Sequence, residues 1–247
     1  MSRSSETGAG EIAWDVGAIF ESVLRQVDRR RGPVPQVDVQ FRPFAGMNHR
    51  ARLRQGVLSV RLSDLLQGAD ARVIEALAMI LVAKLYRRTP PAAAQLRYRR
   101  YVMSRGVEQR IIETKRSRGR KTITDPRGHA YDLTEMFAEI NTRLFDNAIP
   151  ATKLSWSARP SRLRLGHYDI AHHAIVINRL LDRQEVPRVA VEFILYHEML
   201  HVKHPVESSG GRRRIHPPAF RAEEKRFPRY AEARAALRKL ALTADVD

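Results

Sequence analysis

The chain has no cysteine among its 247 residues. That excludes disulfides and any zinc finger or ribbon built on thiolates. Long apolar runs are missing too. None reaches the roughly 18 residues that a membrane helix needs, and Met1–Gly10 lacks the apolar core of a secretory signal. The expectation is a cytoplasmic protein with no membrane partner. No serine stands in a recognisable nucleophile motif, so covalent catalysis has no support. The first half holds a single histidine, His49, and is therefore expected to carry no metal site. Lysine is scarce, with 7 of the 44 basic residues, so arginine dominates the charge.

Against these absences stands one motif, His197-Glu198-Met199-Leu200-His201. Residues four apart share a helical face, so His197 and His201 can turn imidazole nitrogens to one ion. Glu198 then reaches a water beside the metal and can act as general base. The preceding run, Val189 to Tyr196, is apolar except for Glu192, which marks a buried helix. Two histidines and a glutamate are costly there unless something pairs them, and a zinc ion does so.

A third ligand is expected downstream, with His204, His216, Glu223 and Glu224 as candidates. His204 is near the same face, but Pro205 follows and ends the helix. A flexible loop, Glu207-Ser208-Ser209-Gly210-Gly211, then leads through Arg212-Arg213-Arg214 to His216. A chain that returns to set one histidine beside a helical pair is sound zinc geometry, so His216 is favoured and His204 reads as a surface or supporting residue.

Together these residues resemble a family. The HEMLH run, the loop, and His216 with Phe220 four residues later are similar to the SprT-like zinc metalloproteases. Leu133–Asn141 with Leu144-Phe145 and Ile149-Pro150 resembles that family's opening helix. Leu154–Ser157, Leu165–Tyr168 and Ile175–Asn178 resemble its three strands. The likeness runs from about Tyr131 to Leu240. It implies an α+β, zincin-like minimal metalloprotease domain: a helix, a small antiparallel sheet and the HExxH helix. It further implies a zinc protease acting on proteins attached to or associated with DNA. Many such proteins carry a Cys-rich zinc ribbon after the catalytic part, and this chain departs from them there. A group of small metal-dependent hydrolases with a similar HExxH-x-x-H run is the closest alternative, and His204 fits it.

The formal charge is +17, with pI near 11.0. Such a field attracts polyanions, so DNA is an expected partner beside protein substrates. Arg97, Arg99, Arg100, Lys115, Arg116, Arg118, Arg120 and Lys121 crowd one stretch, interleaved with Tyr98 and Tyr101 as base stacking would require. Arg212, Arg213 and Arg214 lie beside His216. These eleven cations are the expected nucleic-acid contacts. Arginine bias from genome composition, on a solvated surface, is the alternative. Two other readings stay open: a zinc hydrolase of unknown substrate whose charge is only that bias, or a nucleic-acid-binding protein with a structural zinc.

The expected organisation is a disordered tail at 1–10, a metal-free α+β domain at 11–94, a basic linker at 95–128 and the SprT-like domain at 129–247. In the first domain, Glu11–Asp28 has an apolar helical face of Ile12, Val16, Ile19, Phe20, Val23 and Leu24. Arg29–Pro35 reads as a turn. Val37–Phe41 alternates as a strand, Gln55-Gly56 turns a hairpin, and Val73–Tyr86 is an apolar helix. The same order follows the basic stretch. Val60–Leu66 parallels Ile175–Leu181, and Arg72-Val73 parallels Arg188-Val189, so Leu81, Val82 and Leu85 fall where His197, Glu198 and His201 stand. Either the first domain is a degenerate duplicate without zinc, or a common pattern arose twice. In the second half, Thr152–Ala158, Arg164–Ala171 and Ala174–Asn178 are expected as the strands, with His172 and His173 at a turn.

Overall fold

The computed structural model describes residues 15–28, 33–161, 163–209 and 212–243. The expected tail, the start of the first helix and most of the turn at 29–35 lie outside them. The chain divides into two compact units, Met1–Gly119 and Arg120–Asp247. Among the described residues no helix is long and apolar enough to cross a membrane.

Unit 1 opens with α1 (Val16–Val27), capped by the Asp15 carboxylate on the amides of Gly17 and Ala18. Three strands follow, β1 (Gln36–Arg42), β2 (Arg50–Arg54) and β3 (Val57–Ser63). Gln55 and Gly56 both take positive φ, 47° and 74°, as the tight two-residue turn between β2 and β3 demands. The sheet order is β1-β3-β2, with β1 parallel and β2 antiparallel to β3. The Ser63 side chain starts a short 3-10 turn, and α2 (Ala71–Leu85) comes next. Phe20, Val23 and Leu24 of α1, Leu58, Val60 and Leu62 of β3, and Ile74, Leu77 and Val82 of α2 form the core.

The stretch expected as a basic linker is helical and closes this unit. It forms α3 (Ala92–Val102) and α4 (Arg105–Arg118). Ala94, Tyr98 and Tyr101 recur at helical spacing, and the two tyrosines pack against the unit's core. Tyr98 bonds to His49, and the Tyr101 hydroxyl reaches the Leu65 carbonyl at 3.4 Å. The expected stacking platform is therefore corrected. Tyr98 and Tyr101 are half-buried against the core, whereas Arg97, Arg99 and Arg100 stay exposed on the same helix.

Unit 2 repeats the element order. It runs α5 (Leu133–Phe145), β4 (Lys153–Trp156), β5 (Gly166–Asp169), β6 (Ala174–Ile177), a 3-10 turn started by the Asn178 side chain, and α6 (Arg188–Lys203). The sheet order is β4-β6-β5, with β4 parallel and β5 antiparallel to β6. The expected antiparallel sheet is thus mixed. β5 and β6 form the hairpin, with His172 and His173 in its turn, and β4 adds to the far side of β6 in the same direction as β6. β6, Ala174-Ile175-Val176-Ile177, is buried on both faces, as a central strand with a parallel neighbour tends to be.

Residues beyond α6 form a small antiparallel hairpin, β7 (Glu207–Ser209) and β8 (Arg212–Arg214), where a flexible loop was expected. Then come α7 (Pro218–Glu224) and α8 (Tyr230–Thr243). α6 is buried along most of its length. It contributes Val189, Ala190, Phe193, Leu195, Met199 and Leu200 to a core shared with Met136 and Ile140 of α5, Trp156 of β4 and Phe227.

Candidate metal centre

α6 places His197 and His201 one turn apart, and the chain returns through β7 and β8 to set His216 beside them. One ring nitrogen from each of the three lies within 4.8 Å of the other two. His216 Nε2 and His201 Nε2 are 3.2 Å apart. Two nitrogens bound at 2.0–2.1 Å to one tetrahedral zinc would stand about 3.3–3.4 Å from each other, so this pair already has the required separation. Burial, and then the nearby charges of His197 and His216, lower the His201 pKa to about 4; burial likewise lowers that of His216. Neutral imidazole is the form that binds a metal.

A short helix holds the cluster in shape. Phe220 of α7 is fully buried, with ring centroids 4.7 Å from His201, 4.6 Å from His216 and 5.1 Å from His197. One turn later, Glu224 Oε1 lies 2.7 Å from His197 Nδ1. That bond orients the ring and leaves Nε2 to face the other two histidines, the arrangement by which a carboxylate fixes the tautomer of a ligating histidine. The Tyr196 hydroxyl donates to the Glu223 carbonyl at 2.9 Å and ties α7 to α6.

The remaining candidates fall outside the cluster. α6 ends at Lys203, with His204 as its cap, ahead of Pro205. His204 Nε2 is 2.7 Å from Glu223 Oε2, and Lys203 holds the other oxygen of the same carboxylate. His204 and Glu223 thus satisfy each other. Glu224 is the residue whose part was hidden in the sequence. Its place four residues after Phe220 sets both on one helical face, but only the docking of α7 shows that this face meets His197.

Glu198 lies on the sheet side of α6 and is 4% exposed. Burial raises its carboxyl pKa to about 7, against the lowering effects of His197 and of a backbone hydrogen bond from Tyr168. Its Oε2 is buried without a hydrogen-bond partner. A buried carboxylate oxygen left bare is expensive unless a water or another polar group meets it. Three imidazoles converging beside such a carboxylate fit a bound metal ion with an attendant water.

The edge strand β5 presses on this carboxylate. A Cβ at Gly166 would come within 2.9 Å of both Glu198 Oε1 and Ile194 Cγ2, so glycine is what lets strand and helix approach. The Tyr168 hydroxyl is 3.1 Å from His173 Nδ1.

Of the expected nucleic-acid contacts, Arg97, Arg99 and Arg100 are exposed on α3, and Lys115 and Arg116 on α4. Arg118 pairs with Asp64 at 2.7 Å. Arg120 is exposed at the start of unit 2, and Arg212, Arg213 and Arg214 are exposed on β8. Lys121 departs from the expectation: it lies 3.0 Å from Asp169 Oδ2 and 2.9 Å from His167 Nε2, so a carboxylate already matches its charge.

A helix-borne histidine pair with an adjacent glutamate, joined by a third histidine from downstream, is a cluster that could hold a metal ion. Residues 133–236 match the model of the SprT-like family, so this part of the chain is a SprT-like domain, of the metalloprotease type. The match includes all three histidines, Glu198, Phe220 and Glu224. No curated protein and no solved structure matches the chain.

Proposed function

We propose that the protein is a zinc-dependent protease that acts on DNA-associated proteins, with unit 2 as a zincin-like catalytic domain. The observation that carries this reading is the convergence of His197, His201 and His216 beside the bare, buried carboxylate of Glu198. A zinc ion held by the three histidines would polarise a peptide carbonyl and lower the pKa of a bound water towards about 7. Glu198, buried beside the three histidines with one oxygen unpartnered, would be placed to take that water's proton and return it to the leaving amine. Glu224 keeps the His197 tautomer. β5, at the sheet edge above Glu198, offers backbone groups to an extended peptide, and strand addition would lay the scissile bond along the helix. The exposed cations of α3, α4 and β8 supply attraction to DNA.

Unit 1 reads as a copy of the same fold, and among its described residues no cluster could hold a metal ion. Its strand order, strand directions and side-chain-capped 3-10 turn match those of unit 2. On the sequence register Val82, fully buried, replaces Glu198, and the half-buried Leu81 and Leu85 replace the two histidines.

The test is cleavage of a DNA-bound protein substrate by the zinc-loaded full chain, with and without DNA. Glu198→Gln is expected to keep zinc and lose activity by about 10²–10⁴-fold, since it removes proton transfer but no ligand. Turnover independent of DNA on small substrates alone would favour a general hydrolase, and full activity in Glu198→Gln would remove the glutamate from the mechanism.

A further inference from the structure

Unit 1 carries a second feature that its core does not explain. β2 reads Arg50-Ala51-Arg52-Leu53-Arg54, and alternate residues of a strand face opposite ways. Ala51 turns to the core side with Val60 of β3, its partner in the ladder. Arg50, Arg52 and Arg54 therefore share the other face. Pairing places Arg61 directly opposite Arg50, and Gln40 of β1 on the far side of Arg61. Two residues along β1 from Gln40, Arg42 joins the same face. The face thus presents Arg42, Arg50, Arg52, Arg54 and Arg61, all exposed, against one carboxylate, Asp38. Asp38 itself accepts from the Gln40 side chain at 3.2 Å, and Gln40 accepts from Arg42 at 2.6 Å. Among the described residues none of the five arginines pairs with a carboxylate.

Such an arrangement costs stability. Like charges directly opposite in an antiparallel ladder repel, as Arg50 and Arg61 must. Among the described residues of the unit, nothing covers them. The matching face in unit 2 is closed: Thr124 donates its amide to Ser155 Oγ at 2.9 Å and its hydroxyl to the Trp156 carbonyl at 2.7 Å, and Ser155 and Val176 are buried.

We propose that the open face of the β1-β3-β2 sheet is a binding site for the phosphate backbone of nucleic acid. Arginines two apart on a strand stand about 6.6–6.8 Å from each other, and neighbouring strands about 4.8 Å, so the five form a lattice of planar donors suited to repeated phosphates. No aromatic side chain lies on the face, and its one apolar residue, Val57, stands at the start of β3 opposite Arg54. Base stacking is therefore absent, and recognition is independent of sequence. The same lack weighs against an acidic protein partner, whose interface would need an apolar centre. This inference shares only its ligand class with the proposed protease; it needs neither the metal nor Glu198.

The test uses the full chain and fluorescent 20-nucleotide single-stranded and duplex DNA, with anisotropy titrations from 50 to 200 mM salt. In the variant R42Q/R50Q/R52Q/R54Q/R61Q, the slope of log affinity against log salt should become shallower by roughly 3.5–4.5, at about 0.7–0.9 for each phosphate left without its arginine. Its melting temperature should hold or rise as repulsion is relieved. The five-lysine counterpart keeps the charge and should keep the slope. A folded glutamine variant with the native slope overturns the proposal, as does a folded lysine variant that no longer binds. Loss confined to binding of polyglutamate, with DNA binding unaltered, also overturns it and points to an acidic polypeptide. The relative response of the two DNA probes tells which form the face prefers. Glu198→Gln should bind DNA with the native slope, so an inactive protease would leave this result readable.

Discussion

Replacing Gly166 by alanine tests whether the approach of β5 to α6 sets the position of Glu198. The added methyl would start 2.9 Å from Glu198 Oε1 and from Ile194 Cγ2, and 3.1 Å from Glu198 Cγ. Ordinary carbon contacts begin near 3.5 Å, so a gap of about 0.6 Å must open between strand and helix, or the Glu198 side chain must swing. Ile194 is β-branched and stiff, so the carboxylate is the softer neighbour. Gly166 is outside the positive-φ region, so the backbone itself accepts alanine. Overpacking of this kind costs about 1–3 kcal/mol, and the stiffer unfolded chain returns about 0.4–1 kcal/mol. The net loss is on the order of 1–2 kcal/mol, seen as a melting temperature lower by several degrees. Catalysis should suffer more. A 1 Å misplacement is worth about 10²-fold, so a shift of about 0.6 Å should lower kcat/KM at least roughly tenfold. Zinc content should stay native, because the methyl meets none of the three histidines. Native activity together with a native melting temperature would refute the reasoning, and loss of zinc would show that β5 supports the ligands rather than the base.

The other expectations can be checked one by one. By metal analysis, His197→Ala or His201→Ala should abolish zinc binding and His216→Ala should weaken it strongly, whereas His204→Ala, which breaks only the Glu223 contact, should change little; the reverse order for the last two would move the site towards the HExxH-x-x-H pattern. Glu224→Ala should weaken zinc about 10–100-fold in a chelator competition, the usual effect of removing a carboxylate that orients a ligating histidine, and unchanged affinity would remove Glu224 from the site. Burial tends to raise the Asp169 pKa, but the Lys121 hydrogen bond and charge outweigh it and hold the value at about 2. A depressed carboxyl pKa gives stability that is full above about 3.8 and lost as pH falls through about 2. Lys121→Gln should therefore move the acid-unfolding midpoint to higher pH, and an unmoved midpoint would show that the pair adds nothing.

Local chemistry was legible in the residues themselves. The spacing of His197 and His201 puts them on one side of any α-helix, because 3.6 residues per turn is a property of the backbone. The apolar run before them announced burial, the Gln55-Gly56 pair announced a tight turn, and Pro205 announced the end of α6. The return of His216 was also readable, since few histidines follow the helix. The repeat of element order was visible as well, and the two sheets prove to share one topology.

What tertiary structure decided depends on which faces meet. The docking of α7 on α6 gives Glu224 to His197 and Glu223 to His204, and no spacing rule separates two adjacent glutamates in that way. β4 joins β6 in parallel because the strands are joined through β5, an order that periodicity does not carry. Tyr98 and Tyr101 turned inward because α3 packs against the unit 1 core, and Lys121 turned to Asp169 across the sheet of unit 2. The same logic brought five arginines, scattered from Arg42 to Arg61, onto one open face. Alternation fixes the side on which each residue of a strand lies, but only strand pairing assembles those sides into a surface.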